Sequence, residues 1–137
     1  MSSASSRAAR TVRPADVKRM LDAGERVVVL DVRSREEHEA WSIAGSVNVP
    51  LPDVLAGKWR PPEGAPVVTV CAHGVRSARA AAHLAERGVD ARSMAGGMVA
   101  WNSVYDLAHV EAGGGLVVTQ VRRVGSTTRA SPSREST

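Results

Sequence analysis

Phenylalanine is absent from this 137-residue chain, cysteine occurs once, and the only aromatic residues are Trp41, Trp59, Trp101 and Tyr105. Each shortage narrows the choice of class. With one thiol there is no internal disulfide and no cysteine-built metal cage, so a disulfide-stapled secreted scaffold and a structural zinc site both lose their support. The four histidines, His38, His73, His83 and His109, lack close ligand spacing, and neither a metal nor a cofactor is expected. No apolar run reaches the roughly 18 residues that a membrane-spanning helix needs. We therefore expect a cytoplasmic protein with no membrane partner. An interior with so few rings must be built from Val, Leu, Ile, Met and Ala, which suits helices laid on a parallel sheet.

Positive charge is concentrated at the ends. Arg7, Arg10 and Arg13 give the head +3, and Arg122, Arg123, Arg129 and Arg134 against Glu135 give the tail +3. The formal charge of the whole chain is +4, so residues 14–120 carry −2. A nucleic-acid surface needs cations clustered on a folded face, with aromatics to stack on bases, and neither is visible. The head, Met1 to Arg13, has the Ser/Arg bias of an organelle transit peptide but no apolar face, and reads as a disordered end.

Punctuation and periodicity lay out the rest. Pro14 suits a first helical turn, Val17, Met20 and Leu21 repeat on one face, and Gly24 closes that helix. Val27 to Leu30 reads as a strand buried on both faces and ending at Asp31. Ser34 and Glu37 have capping-box spacing for a short helix reaching about Trp41. Ile43, Val47 and Val49 form a short edge strand before Pro50. Four prolines then leave room for one short helix before Pro66. Val67 to Val70 is a second buried strand, Ser77 is read as the cap of an alanine-rich helix from Ala78 to Arg87, and Gly88 is its stop. Val89 to Met94 is a third strand, Gly96-Gly97 a turn, and Met98 to Leu107 a last helix anchored by Trp101. Alternating strand and helix predicts a three-layer α/β/α domain with a mainly parallel sheet over residues 11–110. Residues 1–10 are the head; residues 111–137 comprise a Gly-rich linker, an extra strand within Leu116 to Val124, and a disordered tail from Ser126.

In open parallel sheets ligands sit at the C-terminal ends of strands, where Asp31 and Cys71 both fall. The thiolate is the reactive form of cysteine. A helix N-terminus starting at Ser77, the Arg76 guanidinium and the amides of a tight loop containing Gly74 would all favour that anion. A lone cysteine after Val-Val-Thr-Val is otherwise read as a small buried hydrophobe; the Gly, Arg and Ser that follow argue against that here. His73 either faces the pocket mouth and binds substrate or is an exposed loop residue. His38, His83 and His109 read as ordinary surface or half-buried side chains.

Cys71-Ala72-His73-Gly74-Val75-Arg76-Ser77 resembles the active-site loop of the rhodanese-like sulfurtransferases, a Cys-x-x-Gly-x-Arg-Ser pattern. Leu30-Asp31-Val32-Arg33-Ser34 with Glu36, running on to Ile43-Ala44-Gly45-Ser46-Val47-Asn48-Val49-Pro50, is similar to that family's first signature, and Gly96-Gly97-Met98-Val99-Ala100-Trp101 to its closing one. The likeness covers about Thr11 to Ala108. It implies that Cys71 takes a sulfane sulfur from a donor such as thiosulfate, becomes a persulfide, and passes the sulfur to a thiol or cyanide, with a protein thiol as another acceptor. It also implies that the loop from Ala72 to Ser77 binds substrate, that Asp31 and Arg33 brace the loop, and that Gly96, Gly97 and Trp101 serve packing. Trp41-Ser42 stands where the family commonly has Gly-His, and Ala44 where it commonly has Pro. Leu116 to Gly125 resembles the opening strand of metallo-β-lactamase-fold hydrolases that some chains carry after a rhodanese domain. Two other functions compete: a non-catalytic binding or regulatory module of the same fold, and a cysteine-loop phosphatase. Phosphatase loops resemble Cys-x5-Arg, whereas Arg76 makes this one Cys-x4-Arg, a smaller ring that suits one sulfur atom better than a phosphoryl group.

Overall fold

β-Branched runs too short for a helix become strands where helices cover both of their faces. A computed structural model of the chain describes residues 10–102 and the strands Leu107–Val110 and Leu116–Thr119. The elements in chain order are β1 (Thr11–Val12), α1 (Pro14–Asp22), β2 (Val28–Asp31), α2 (Arg35–Ala40), β3 (Val47–Asn48), α3 (Leu51–Leu55), β4 (Val67–Val70), α4 (Val75–Glu86), β5 (Ala91–Met94), α5 (Gly97–Asn102), β6 (Leu107–Val110) and β7 (Leu116–Thr119). The first five strands form one parallel sheet in the order β1-β5-β4-β2-β3. β6 and β7 pair antiparallel with each other.

Side-chain alternation along β4 assigns the two faces. Val68 and Val70 join Val29 and Met94 under α1 and α5, where Val17, Met98 and Trp101 are buried. Val67 and Cys71 join Leu30 and Ala91 under α3 and α4, where Val54, Ala80, Ala81 and Leu84 are buried. Two fully buried alanines let the α4 backbone lie close to the sheet. The α/β/α expectation holds: helices cover both sides of a parallel sheet, and the site lies where β4 hands over to α4.

Several boundaries differ from the sequence reading. β1 had no sequence signal, because two residues are too few for a pattern; it pairs with β5, Thr11 beside Ser93. α4 begins at Val75 with Gly74 as its N-cap, so Ser77 lies inside the first turn and does not cap it. The last helix runs Gly97–Asn102 and Leu107 lies in a strand; Ser103 to Asp106 lie outside the described residues. β7 covers Leu116–Thr119 of the expected Leu116 to Val124 strand. The head before Arg10, the Gly-rich linker and the tail from Gln120 also lie outside the described residues. Arg10 itself is tied to β5: its carbonyl accepts from the Ser93 N–H at 2.8 Å. Among the described residues no helix is long and apolar enough to cross a membrane, and no three His, Cys, Asp or Glu side chains are grouped to hold a metal ion.

Candidate active site

A helix N-terminus leaves amide hydrogens without partners, and a side-chain acceptor just before it normally takes one of them. Gly74 has no side chain to offer. It adopts the left-handed conformation with φ of 108°, which bends the chain back over Cys71. The sulfur takes the missing cap's place. Cys71 Sγ accepts from the Gly74 amide at 3.1 Å and from the Ser77 amide, in the first turn of α4, at 3.2 Å. Ser77 Oγ stands 3.4 Å from the same sulfur. The residue expected to cap the helix thus gives its amide to the sulfur and sets its hydroxyl beside it, an acceptor for the thiol hydrogen and a donor once the thiol ionises.

Gly97 explains how the loop amides come to face inward. Its φ is +62°, and a Cβ there would overlap the carbonyl groups of Cys71 and Ala72. Without a side chain, the α5 N-terminus sits directly on those carbonyls: the Met98 N–H donates to Cys71 O at 2.7 Å and the Val99 N–H to Ala72 O at 3.0 Å. In a planar trans peptide C=O and N–H point in opposite directions, so drawing the Ala72 carbonyl toward α5 turns the His73 N–H toward the sulfur, where it too favours the anion. The packing role expected for Gly97 is therefore also an orienting one.

Cys71 is 1% exposed, whereas Val75 at the loop tip is 78% exposed. Burial is the largest influence on the thiol and raises its pKa; the Ser77 hydroxyl and the amides of Ser77, Gly74 and His73 together outweigh it and hold the pKa below the ordinary thiol value. Among the described residues no charged group is hydrogen-bonded to the sulfur. The Arg76 guanidinium makes a two-pronged bond to Glu37, at 3.0 and 3.3 Å, so the help expected from it reaches the sulfur as longer-range attraction and not as direct contact. Glu37 is held down to about 2, mainly by that contact. Arg76 still feels Cys71 and Asp31 at longer range, which adds to the raising of its own pKa.

Asp31 and Arg33 lie on the neighbouring connection. Asp31 is fully buried and takes Arg33 Nη2 at 2.7 Å and His38 Nδ1 at 2.9 Å. Arg33 Nη2 also donates to the Trp41 carbonyl at 2.6 Å, and Asn48 Nδ2 donates to the carbonyls of Asp31 and Arg33, both at 3.0 Å. This network holds the C-terminal half of α2 and the β3 edge. It meets the cysteine loop through Glu37 of α2, which also closes the expected capping box with Ser34. His73 is exposed at the loop surface.

A rhodanese-like domain model matches residues 13–104. The chain belongs to the rhodanese-like domain family. Among its relatives, the thiosulfate sulfurtransferase GlpE of Pseudoalteromonas translucida is 34% identical over 82 residues, covering 59% of this chain and 78% of that protein. A probable adenylyltransferase/sulfurtransferase MoeZ of Mycobacterium tuberculosis is 33% identical over 94 residues, covering 66% of this chain but 24% of the relative. A tRNA uridine(34) hydroxylase of Cupriavidus taiwanensis is 34% identical, with 60% of this chain and 33% of that protein covered. In these larger relatives the rhodanese-like match occupies about a quarter to a third of the chain. The solved rhodanese-related protein of Thermoplasma volcanium superposes with a TM-score of 0.61 at 33% identity, covering 67% of this chain and 89% of that one.

This rhodanese-like domain gathers Cys71 to Ser77 into one loop around one sulfur, and sets Asp31 and Arg33 one connection away. Sequence reading did not find the Glu37 grip on Arg76, the His38 contact with Asp31, or Ser93, whose Oγ is 2.7 Å from Ser77 Oγ. Glu37 carried only a capping signal, and Ser93 carried none.

Proposed function

We propose that this domain is a sulfurtransferase that carries sulfane sulfur as a persulfide on Cys71. The Cys71 thiolate attacks the outer sulfur of a donor such as thiosulfate; a new S–S bond forms, the donor's S–S bond breaks, and sulfite leaves with the electron pair. An acceptor thiolate or cyanide then attacks the outer sulfur. Cys71 departs as thiolate, and the acceptor becomes a persulfide or thiocyanate. Loop amides facing inward stabilise the anion in both steps, with Arg76 adding attraction at longer range. His73 and Val75, exposed at the loop tip, border the approach for the acceptor, a small thiol or a thiol carried by another protein.

One observation carries this reading: a sulfur 1% exposed that is nevertheless met by amide and hydroxyl donors, so that burial does not suppress its ionisation. The names of the sulfurtransferase relatives support it. The loop's donors converge on one atom and Arg76 is engaged by Glu37, which favours sulfur over a phosphoryl group. The test is intact-mass measurement after incubation with thiosulfate. The expected result is the gain of one sulfur atom, removed by cyanide and absent in Cys71→Ser. No adduct would favour the binding module; aryl-phosphate turnover without sulfur turnover would favour the phosphatase.

A further inference from the structure

Ser77 does not act on the sulfur alone. Thr69 of β4 and Ser93 of β5 are register partners, so their side chains stand side by side on the sheet face beneath α4. Both reach Ser77. Thr69 Oγ1 donates to the Ser77 carbonyl at 2.7 Å, and Ser93 Oγ lies 2.7 Å from Ser77 Oγ. Thr69 and Ser77 are 0% exposed and Ser93 is 2% exposed, so bulk solvent does not reach them.

Proton counting gives this chain a direction. Cys71 Sγ, Ser77 Oγ and Ser93 Oγ are joined by two links. With a neutral thiol, three protons (S–H and two O–H) compete for those two links, and one buried donor is left over. With a thiolate, two protons fill two links: Ser93 donates to Ser77, and Ser77 donates to sulfur. An unmet buried hydroxyl is costly, so the ionised sulfur is the state in which the chain is complete. Successive hydroxyls also polarise one another, strengthening the bond that reaches the anion.

We propose that Ser93 is a positioning residue for Cys71: its hydroxyl donates to Ser77 Oγ and thereby commits the Ser77 proton to the sulfur. The inference rests on the sulfurtransferase reading for its purpose. The relay serves the step in which the acceptor attacks the outer sulfur and Cys71 leaves as thiolate. Its geometry is independent of that reading. Ser93 lies 16 residues beyond Ser77, outside the cysteine loop, and touches no reacting atom.

The test is a double-mutant cycle read by the pH profile of iodoacetamide alkylation, which reports on Cys71 alone because the chain has one cysteine. Ser93→Ala is expected to move the profile to higher pH and slow alkylation at neutral pH about fivefold. Ser77→Ala should slow it more. In the Ser77→Ala background, Ser93→Ala should add nothing, because Ser93 acts only through Ser77. An unchanged profile in Ser93→Ala, or an equal shift in both backgrounds, would overturn the proposal. The readout needs no sulfur donor, so a wild-type chain that gains no sulfur from thiosulfate but keeps this Ser93 effect would sink the sulfurtransferase reading alone.

Discussion

Two neighbouring strands of the sheet lead to an acidic side chain ahead of a helix, Asp31 after β2 and Cys71 after β4, and the two are surrounded in opposite ways. At the end of β2 the Asp31 carboxylate is met by the Arg33 guanidinium and the His38 ring, fully buried among its partners. Just past the end of β4 the Cys71 sulfur is met by amides and a hydroxyl and, among the described residues, by no charged group. A full counter-charge fixes an anion in place and makes it a strut. Dipoles held by the backbone stabilise an anion without consuming it, leaving its lone pairs ready to attack. The pairing of Arg76 with Glu37 belongs to the same division: the arginine of the cysteine loop is engaged by another carboxylate.

Asp31→Asn tests the strut and should have the largest effect. It leaves Arg33 as a buried cation without a counter-charge, and about 3 kcal/mol of stability should be lost in denaturant unfolding. The alkylation profile of Cys71 in the folded fraction should hardly move. A shift as large as that from Ser77→Ala would mean that the two sites are not separate devices. Gly97→Ala attacks the other side. The added methyl drives the α5 N-terminus off the Cys71 and Ala72 carbonyls, costing about 2 kcal/mol and, unlike Asp31→Asn, also moving the alkylation profile to higher pH. Destabilisation with an unchanged profile would show that Gly97 only packs.

Glu37→Gln should have the smallest effect. The variant keeps an acceptor for the capping box and loses the charge that holds Arg76. Glu37 ionises at about 2 in the fold against an ordinary 4.5, so its contribution is present above about pH 4.5 and fades as pH falls toward 2. Both partners are 39% exposed, and screening by water leaves about 1 kcal/mol at neutral pH. Unfolding measured between pH 7 and pH 3 should therefore show the gap between wild type and Glu37→Gln narrowing in acid. A gap as wide at pH 3 as at pH 7 would point to lost packing and not lost charge.

Local chemistry was legible in the sequence and long-range pairing was not. The β4 strand, the glycine after the cysteine and the Ser34–Glu37 capping box are each written within a few residues, and the structure keeps all three. Ser77 was misread because a serine beside an alanine-rich helix is the usual cap. Only the folded loop reveals that the sulfur already occupies that position. Glu37 and Arg76 are 39 residues apart, and Ser77 and Ser93 meet through the register of β5 on β4. Both pairings depend on how elements stack, and no motif length encodes them. The strand β1 escaped notice for the same reason: it exists because the edge of β5 offers it partners.

The most direct test of the account is the ultraviolet thiolate absorbance of the native protein as a function of pH, compared with the same chain in denaturant. With one cysteine in the chain, Cys71 alone contributes thiolate absorbance, and Tyr105 ionisation is followed separately at longer wavelength. Native Cys71 should ionise at lower pH than the unfolded thiol, despite its burial. A native midpoint equal to or above the unfolded one would mean that burial prevails over the loop's donors, and would contradict the claim that this loop is built to hold a reactive sulfur.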